Sequence, residues 1–495
     1  MNSHKGTAVC SVLSELIDRN TGPFLDRRDG TSYSYEEVAE EAARIGSFLR
    51  KHRIQRGDTV ALAMENSPEA CILWFGLLRE GVAIVPLNPI LPDEEISYIL
   101  RMAEVKMLVA DTRFADSARR WCEEVPSRCE MILAGDAPWK RYSAADRSYV
   151  DPDDIAVIFF TSGTTGRPKG AMLTHKALLA NVRGCAETFA LDSSAAFASP
   201  IPIFHSFAAT VCLFLPAFLG GRVFFHSPRE LDAFLQGLSS LESPRIVVAV
   251  PSLLEGIFSA IPALPNCRFI VSGGAALLPE LRRKIEDGGN TIFEGYGTTE
   301  CGPVIASQNP SAPGRPGSVG KPISGVKVSI RSSSDDELPA GTTGEIVVQT
   351  PALMAGYYDL AQATRASIKG GWFHTGDLGY INDTGELFIV DRLTDVVTVK
   401  GISVLPQTVE AVLLKHPAVA EAAVVGIPDG AGGEIPWAFA RAKEKETTTD
   451  PSEILSFCRE HLPIYAVPRG LEFRDSLPKT ITGKVLKRTL RQKWL

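Results

Sequence analysis

The chain has 495 residues, enough for two or more domains with large cores. With 45% hydrophobic and 22% charged residues and a net charge of −7, it reads as an ordinary globular protein, and a broad nucleic-acid surface is not expected. Its nine cysteines are scattered, without C-x-x-C pairs or metal spacing, which argues against structural zinc and for a reducing, cytoplasmic setting.

No apolar run precedes Asp18, so no secretory signal is expected. Residues 70–78 read as a helix and 82–86 as the buried strand after it. A second apolar strand, 155–160, empties into Thr-Ser-Gly-Thr-Thr-Gly-Arg-Pro-Lys-Gly at 161–170. Glycines let backbone N–H groups close around an anion, Ser162, Thr164 and Thr165 add hydroxyl donors, and Lys169 adds a mobile charge. Lys169 follows Pro168, so this is not a Walker A loop; the stretch reads as a cradle for nucleotide phosphate. Residues 208–219 are the most lipophilic stretch, too short for a membrane span and broken by Pro216: a buried helix or a substrate wall.

Strands follow at 245–250, with a helix opening at Pro251, and at 269–272, ending in Gly273-Gly274 before a helix at about 279–286. A further strand, 291–294, ends in Gly295-Tyr296-Gly297. Ligands of parallel α/β sheets bind at the carboxyl ends of strands, so the glycine loops at 161, 273 and 295 are expected to meet at one site. From about 315 to 390, hairpin signals and alternating runs predict a β-rich subdomain, and a boundary is expected near Thr394. The last 100 or so residues show helix, strand, helix and strand signals in turn, and a basic cluster from Lys479 to Lys493 reads mostly as a solvated helix face.

Four stretches, 161–170, 294–300 (E-G-Y-G-T-T-E), 376–390 with Asp391-Arg392, and 477–484 (L-P-K-T-I-T-G-K), together resemble the adenylate-forming superfamily of acyl-CoA synthetases, peptide adenylation domains and luciferases. The chain looks most like the fatty acyl-CoA ligases through 202–208 (P-I-F-H-S-F-A) and Asn309-Pro310. The resemblance implies an α/β fold: a large N-terminal domain of layered sheets with the β-rich subdomain (1–393) and a small mobile α+β domain (394–495). It also implies the reaction, attack of a carboxylate on the α-phosphate of ATP, followed by transfer of the acyl group to a thiol.

By the same resemblance, Thr161, Ser162, Gly163, Thr164, Thr165, Gly166 and Lys169 hold the β- and γ-phosphates. Glu300 binds Mg²⁺, and Thr299 sits beside the α-phosphate. Glu294, Gly295, Tyr296, Gly297 and Thr298 form the nucleotide strand, with Tyr296 facing adenine and Gly274 and Ala275 at its edge. Asp377 grips the ribose, reinforced by Arg392, with Ile389 nearby. Lys484 bridges the carboxylate and α-phosphate, countering charge that develops in the transition state; Lys479 reads as structural. His205, Phe207, Ala208, Gly273, Gly274, Gly297 and Cys301 form the acid pocket; Phe207, Ala208, Val211, Leu213 and Gly274 either line an apolar tunnel or pack as plain core. Cys301 reads there as a packing residue rather than a nucleophile. No carboxylate occurs at 199–225, where amino-acid-activating relatives carry an Asp at the His205 position, so a simple acid is expected. Glycine at 297, where acetyl-type enzymes carry a bulky ring, is expected to leave room for a longer or wider acid.

Lys400, Gly401 and Ile402 occupy the CoA loop, and Thr394 the hinge, where Asp or Lys is usual; Thr398 and Thr408 depart from frequent Lys and Glu. The expected activity is an AMP-forming ligase for a medium- or long-chain fatty acid, using ATP, Mg²⁺ and CoA. Alternatives are an aryl-CoA ligase, an enzyme loading an acyl carrier protein, and a non-catalytic acyl- or nucleotide-binding protein. No nucleic-acid or integral-membrane partner is expected, and the oligomeric state is monomer or homodimer.

Overall fold

The computed structural model describes residues 10–494 apart from 28–29, 126–128, 136, 163–166, 227–230, 242, 431–432, 444–449, 480–482 and 493. Local chemistry sets the early helices. Ser34 caps Tyr35–Lys51 in a reciprocal capping box with Glu37. Ser67 accepts from the Ala70 N–H, and Pro68 occupies the first turn of Pro68–Arg79. Every residue of that helix from Ala70 to Leu78 is buried, as expected of a helix enclosed on all sides.

Two sheets organise the larger part of the chain. A seven-stranded sheet runs in the order Gly356–Tyr357, Pro168–Thr174, Ile155–Ser162, Ala83–Pro86, Thr59–Ala63, Met107–Ala110, Glu130–Leu133. Its last five strands are parallel, whereas Pro168–Thr174 pairs antiparallel with both of its neighbours. A nine-stranded sheet has a parallel centre through Ala196–Ser199, Arg245–Ala249, Cys267–Ser272 and Ile292–Gly297. The Arg245–Ala249 strand is buried throughout, which explains its nearly continuous apolar sequence.

Three details depart from the sequence expectations. The glycine loops at 161 and at 273 and 295 follow strands of two different sheets rather than neighbouring strands of a single one. Ile292–Gly297 does not end at Glu294: parallel pairing with Cys267–Ser272 gives way at Gly295 to antiparallel pairing with Val304–Ser307, which carries the strand on to Gly297. The lipophilic stretch is a broken helix, with a π-helical segment Ala209–Phe214 between short α-helical pieces.

By internal contacts the chain forms two compact units, Met1–Val328 with Val348–Phe373 and Ser329–Val347 with His374–Leu495. The second unit holds the paired stretches of Trp372–Ile381 and Leu387–Arg392 from residue 377 on. It also holds a three-stranded sheet of Val419–Pro428, Glu434–Ala442 and Leu471–Phe473, with helices Pro406–Leu413 and Pro451–His461. Val409, Leu413, Val424, Ala440, Ile454 and Cys458 share its core. Among the described residues, no helix is long and apolar enough to cross a membrane.

Candidate active site

In the first unit, the phosphate stretch is a β-hairpin. Thr161 pairs with Lys169 and Ser162 with Pro168; Gly163, Thr164, Thr165 and Gly166 lie outside the described residues. The returning arm takes Gly356–Tyr357 as its next strand, and the Tyr358 N–H donates to the Gly170 carbonyl at 2.8 Å. That pairing delivers Tyr357 to the other sheet's turn. Its hydroxyl donates to Glu300 Oε1 at 2.8 Å, and Lys169 Nζ lies 5.3 Å from the centre of its ring. Burial first, and the Glu300 charge second, hold the phenol well above its ordinary pKa, so it stays a donor.

Glu300 sits in the single 3₁₀ turn Thr299–Cys301 that follows Ile292–Gly297. Its carbonyl accepts from the Met354 N–H at 2.8 Å. Gly302 ends the turn at φ +91°, and a Cβ there would lie 2.8 Å from Ala352 Cβ, so glycine is required. Thr299 Oγ1 meets Ser206 Oγ at 2.9 Å, tying this turn to the start of the lipophilic helix.

His205 precedes that helix. Burial pushes its imidazole down to about 4, so the ring is neutral near pH 7; its Nε2 is buried without a hydrogen-bond partner among the described residues. The Phe207 ring covers Gly273, where an added Cβ would stand 3.1 Å from it. Gly274, at φ +84°, makes the left-handed turn beside it, and Ala275 is half-buried.

Several expected roles change on this geometry. Ala208 and Leu213 have no exposed surface and Val211 very little, which favours core packing over a tunnel wall, the two readings the sequence left open. A Cβ on Gly297 would fall 2.0 Å from the Pro303 carbonyl oxygen. A close backbone approach accounts for glycine there. Glu294 has a structural partner: it is buried against Arg282 at 2.9 Å, and its N–H donates to the Gln308 side chain at 3.0 Å. Cys301 is fully buried, with its thiol pushed up by desolvation, as expected of a packing residue. Tyr296 and Thr298 are half-buried along the same strand and turn.

The second unit carries the other expected residues. Asp377 faces Arg392 across an antiparallel pair, with Arg392 Nε 3.1 Å from Asp377 Oδ1. Gly376, at φ +70°, precedes Asp377, whose N–H donates to the Thr375 hydroxyl at 3.0 Å. Ile389 stands opposite Gly379 in the same pair. Lys484 lies in a loop closed by a bridge between Lys479 and Val485. Burial, then Arg392, push its amine down to about 8, while Asp377 and Asp395 pull the other way. Lys479 is engaged by Glu421, as a structural lysine should be.

Lys400 and Gly401, at φ +49° and +83°, form the two-residue turn between Val397–Val399 and Ile402–Val404, the left-handed geometry that suits a tight hairpin. Lys400, Gly401 and Ile402 are exposed. Thr394 is also exposed, and its carbonyl accepts from Arg491 at 3.4 Å.

Two residues escape the sequence reading. Tyr357 stands in M-A-G-Y-Y with no charge or spacing to mark it, and Ser206 looks like filler beside His205. Only long-range pairing exposes either. The groups present fit the ligands of nucleotide chemistry. Among the described residues, Glu300 Oε2 has no hydrogen-bond partner and Lys169 no ion-pair partner. An oxygen ligand for a hard cation and an ammonium for phosphate thus both stand against Tyr357.

Comparison with known proteins gives this arrangement its context. Residues 18–358 match the family described as AMP-binding enzyme, and residues 408–484 match the AMP-binding enzyme C-terminal domain. The chain is 33% identical to a feruloyl-CoA synthase of an Amycolatopsis species, covering 94% of this chain and 95% of that protein. It is 29% identical to a long-chain-fatty-acid–CoA ligase of Escherichia coli, covering 97% and 94%. ATP-bound MatB from Rhodopseudomonas palustris superposes with a TM-score of 0.89 at 28% identity, over 98% of this chain and 99% of that one. With both family domains matched along the chain and relatives of this kind covered nearly end to end, the chain belongs to the AMP-binding enzymes of the adenylate-forming superfamily, among the AMP-forming acyl- and aryl-CoA ligases that use ATP, Mg²⁺ and CoA.

Proposed function

We propose that the chain activates a simple carboxylic acid, in the first instance a medium- or long-chain fatty acid, as its acyl-adenylate and passes the acyl group to CoA. The observation that carries the simple-acid reading is a neutral, buried His205 in a stretch without any carboxylate. An ammonium-bearing substrate would find no counter-charge there. The aliphatic choice draws on the fatty-acid ligases among the relatives. A second reading, a compact aromatic acid, is favoured by the solid packing at Ala208 and Leu213 and by the feruloyl-CoA synthase relative.

In this reading the carboxylate oxygen attacks the α-phosphorus and pyrophosphate leaves. Lys169, with the hydroxyls and amides of 161–166, holds the departing phosphates, and Thr299 hydrogen-bonds the α-phosphate oxygen. Tyr296 and the Gly274-Ala275 turn take the adenine, while Asp377 and Arg392 take the ribose. Glu300 would hold Mg²⁺, which when bound supplies positive charge against the phosphates. Lys484 donates to both the carboxylate and the α-phosphate as charge builds between them. The acyl carbon then accepts the thiolate of CoA and AMP leaves; Thr394 serves as the hinge between 1–393 and 394–495 for this second step, with Lys400, Gly401 and Ile402 beside the incoming thiol.

A panel of alkanoates, cinnamates, benzoates and amino acids, scored by CoA thioester formed, tests the substrate. Alkanoates are expected to lead. A cinnamate ahead of every alkanoate by an order of magnitude would establish the second reading, and an amino acid ahead of both would defeat the first two.

A further inference from the structure

We propose that Tyr357 is a positioning residue for the nucleotide's metal and phosphates: its hydroxyl fixes one oxygen of Glu300 so that the other faces the cation, and its ring seats Lys169 without neutralising it. This rests on the reading of Glu300 as the cation ligand and Lys169 as a phosphate ligand.

Tyr357 is only 7% exposed, so its side chain has little freedom to choose partners. Backbone pairing with Ala171, two residues beyond Lys169, fixes its position relative to the phosphate hairpin. Backbone contact from Met354 to the Glu300 carbonyl fixes the same segment relative to the turn. Between these two anchors the hydroxyl reaches Glu300 Oε1 at 2.8 Å, leaving Oε2 without a hydrogen-bond partner among the described residues. A carboxylate on a single short turn otherwise rotates about its side-chain torsions, and a ligand held by a hydrogen bond loses less entropy when a cation binds.

The ring has the second part. Lys169 Nζ lies 5.3 Å from its centre, within reach of the attraction between a cation and an aromatic face. A carboxylate in that place would cancel the ammonium's charge. An aromatic face orients the amine and leaves its charge for phosphate.

The two parts separate by substitution. Calorimetric titration of ATP into wild type, Tyr357→Phe, Tyr357→Leu and Glu300→Gln, each in Mg²⁺ and in EDTA, reads binding without turnover. Tyr357→Phe keeps the ring and loses the hydroxyl. It should weaken binding in Mg²⁺ by about tenfold, the lower range for loss of a group that orients a metal ligand, and leave binding in EDTA unchanged. Tyr357→Leu should weaken binding in both media, and Glu300→Gln only in Mg²⁺. The double variant Tyr357→Phe/Glu300→Gln should be no weaker than Glu300→Gln alone. Wild-type binding by Tyr357→Phe in Mg²⁺, beside a weakened Glu300→Gln, would overturn the proposal and leave the reading of Glu300 intact. No effect of Glu300→Gln would remove that reading and the proposal with it. Equal weakening of Tyr357→Phe in both media would mark a purely structural tyrosine and also overturn it.

Discussion

Glu300 and Lys484 are built in opposite ways. Glu300 occupies one turn of 3₁₀ helix held from three sides: by the strand that leads into it, by a backbone bond from Met354 and by the Tyr357 hydroxyl. Thr299 beside it is held by Ser206. Lys484 lies in a loop closed by one bridge, among Arg392, Asp377 and Asp395, and burial strips its amine of part of its proton affinity. The contrast suits the roles proposed for the two groups. A cation ligand and phosphate clamp serve throughout the reaction and gain from rigidity. A group needed for one half-reaction gains from a small, separate unit and from a charge poised to respond to its surroundings.

The largest effect that would break this comparison comes from Lys484→Ala. In the proposed role its charge acts in the transition state, so the substitution should lower acid-dependent exchange of pyrophosphate into ATP by about 10²–10³-fold. Conversion of supplied acyl-adenylate to thioester should survive. Equal loss of both steps would make Lys484 a structural residue.

Stability of the first unit offers a second test. His175 is fully buried, its Nδ1 accepts from the Leu13 N–H at 3.2 Å, and desolvation lowers its pKa from 6.5 to about 4. Between those values the unfolded chain binds more protons than the folded one, so the stability from neutral His175 is complete above 6.5 and is lost as pH falls toward 4. Urea titrations at pH 7 and pH 5 should show about 2 kcal/mol of loss from this group, absent in His175→Asn. The same loss in the variant would assign it elsewhere.

A smaller effect comes from the Lys484 amine itself. Its folded pKa, about 8, lies below the ordinary lysine value, so the charged form that the proposed role needs drains away as pH rises. The kcat/KM for pyrophosphate exchange should fall about tenfold per pH unit above that value. A flat profile to pH 10 would show a fully charged amine or a lysine without a role. Smallest of all, Ser206→Ala should cost adenylation about two- to tenfold, the usual worth of one hydrogen bond, and leave thioester formation unchanged.

Much of this was legible in the sequence, and the reasons it stopped are physical. Helix Pro68–Arg79 and strands Cys267–Ser272 and Arg245–Ala249 carry local signals of capping and apolar runs, and they form where those signals place them. What failed was set by partners distant in the chain. The strand at Ile292–Gly297 outlasts its apolar run because Val304–Ser307 pairs with it. Gly297 is explained by the Pro303 carbonyl and Glu294 by Arg282, neither of which a linear motif reports. Tyr357 joins the site through a strand pairing that spans some 185 residues, from Ala171.

The central claim, attack of a carboxylate oxygen on the α-phosphorus of ATP, is tested most directly by isotope transfer. A turnover with ATP, CoA and an acid carrying ¹⁸O in both carboxylate positions should yield AMP with one heavy oxygen and unlabelled pyrophosphate. Unlabelled AMP, or heavy oxygen in inorganic phosphate, would mean that no acyl-adenylate forms and would contradict the account.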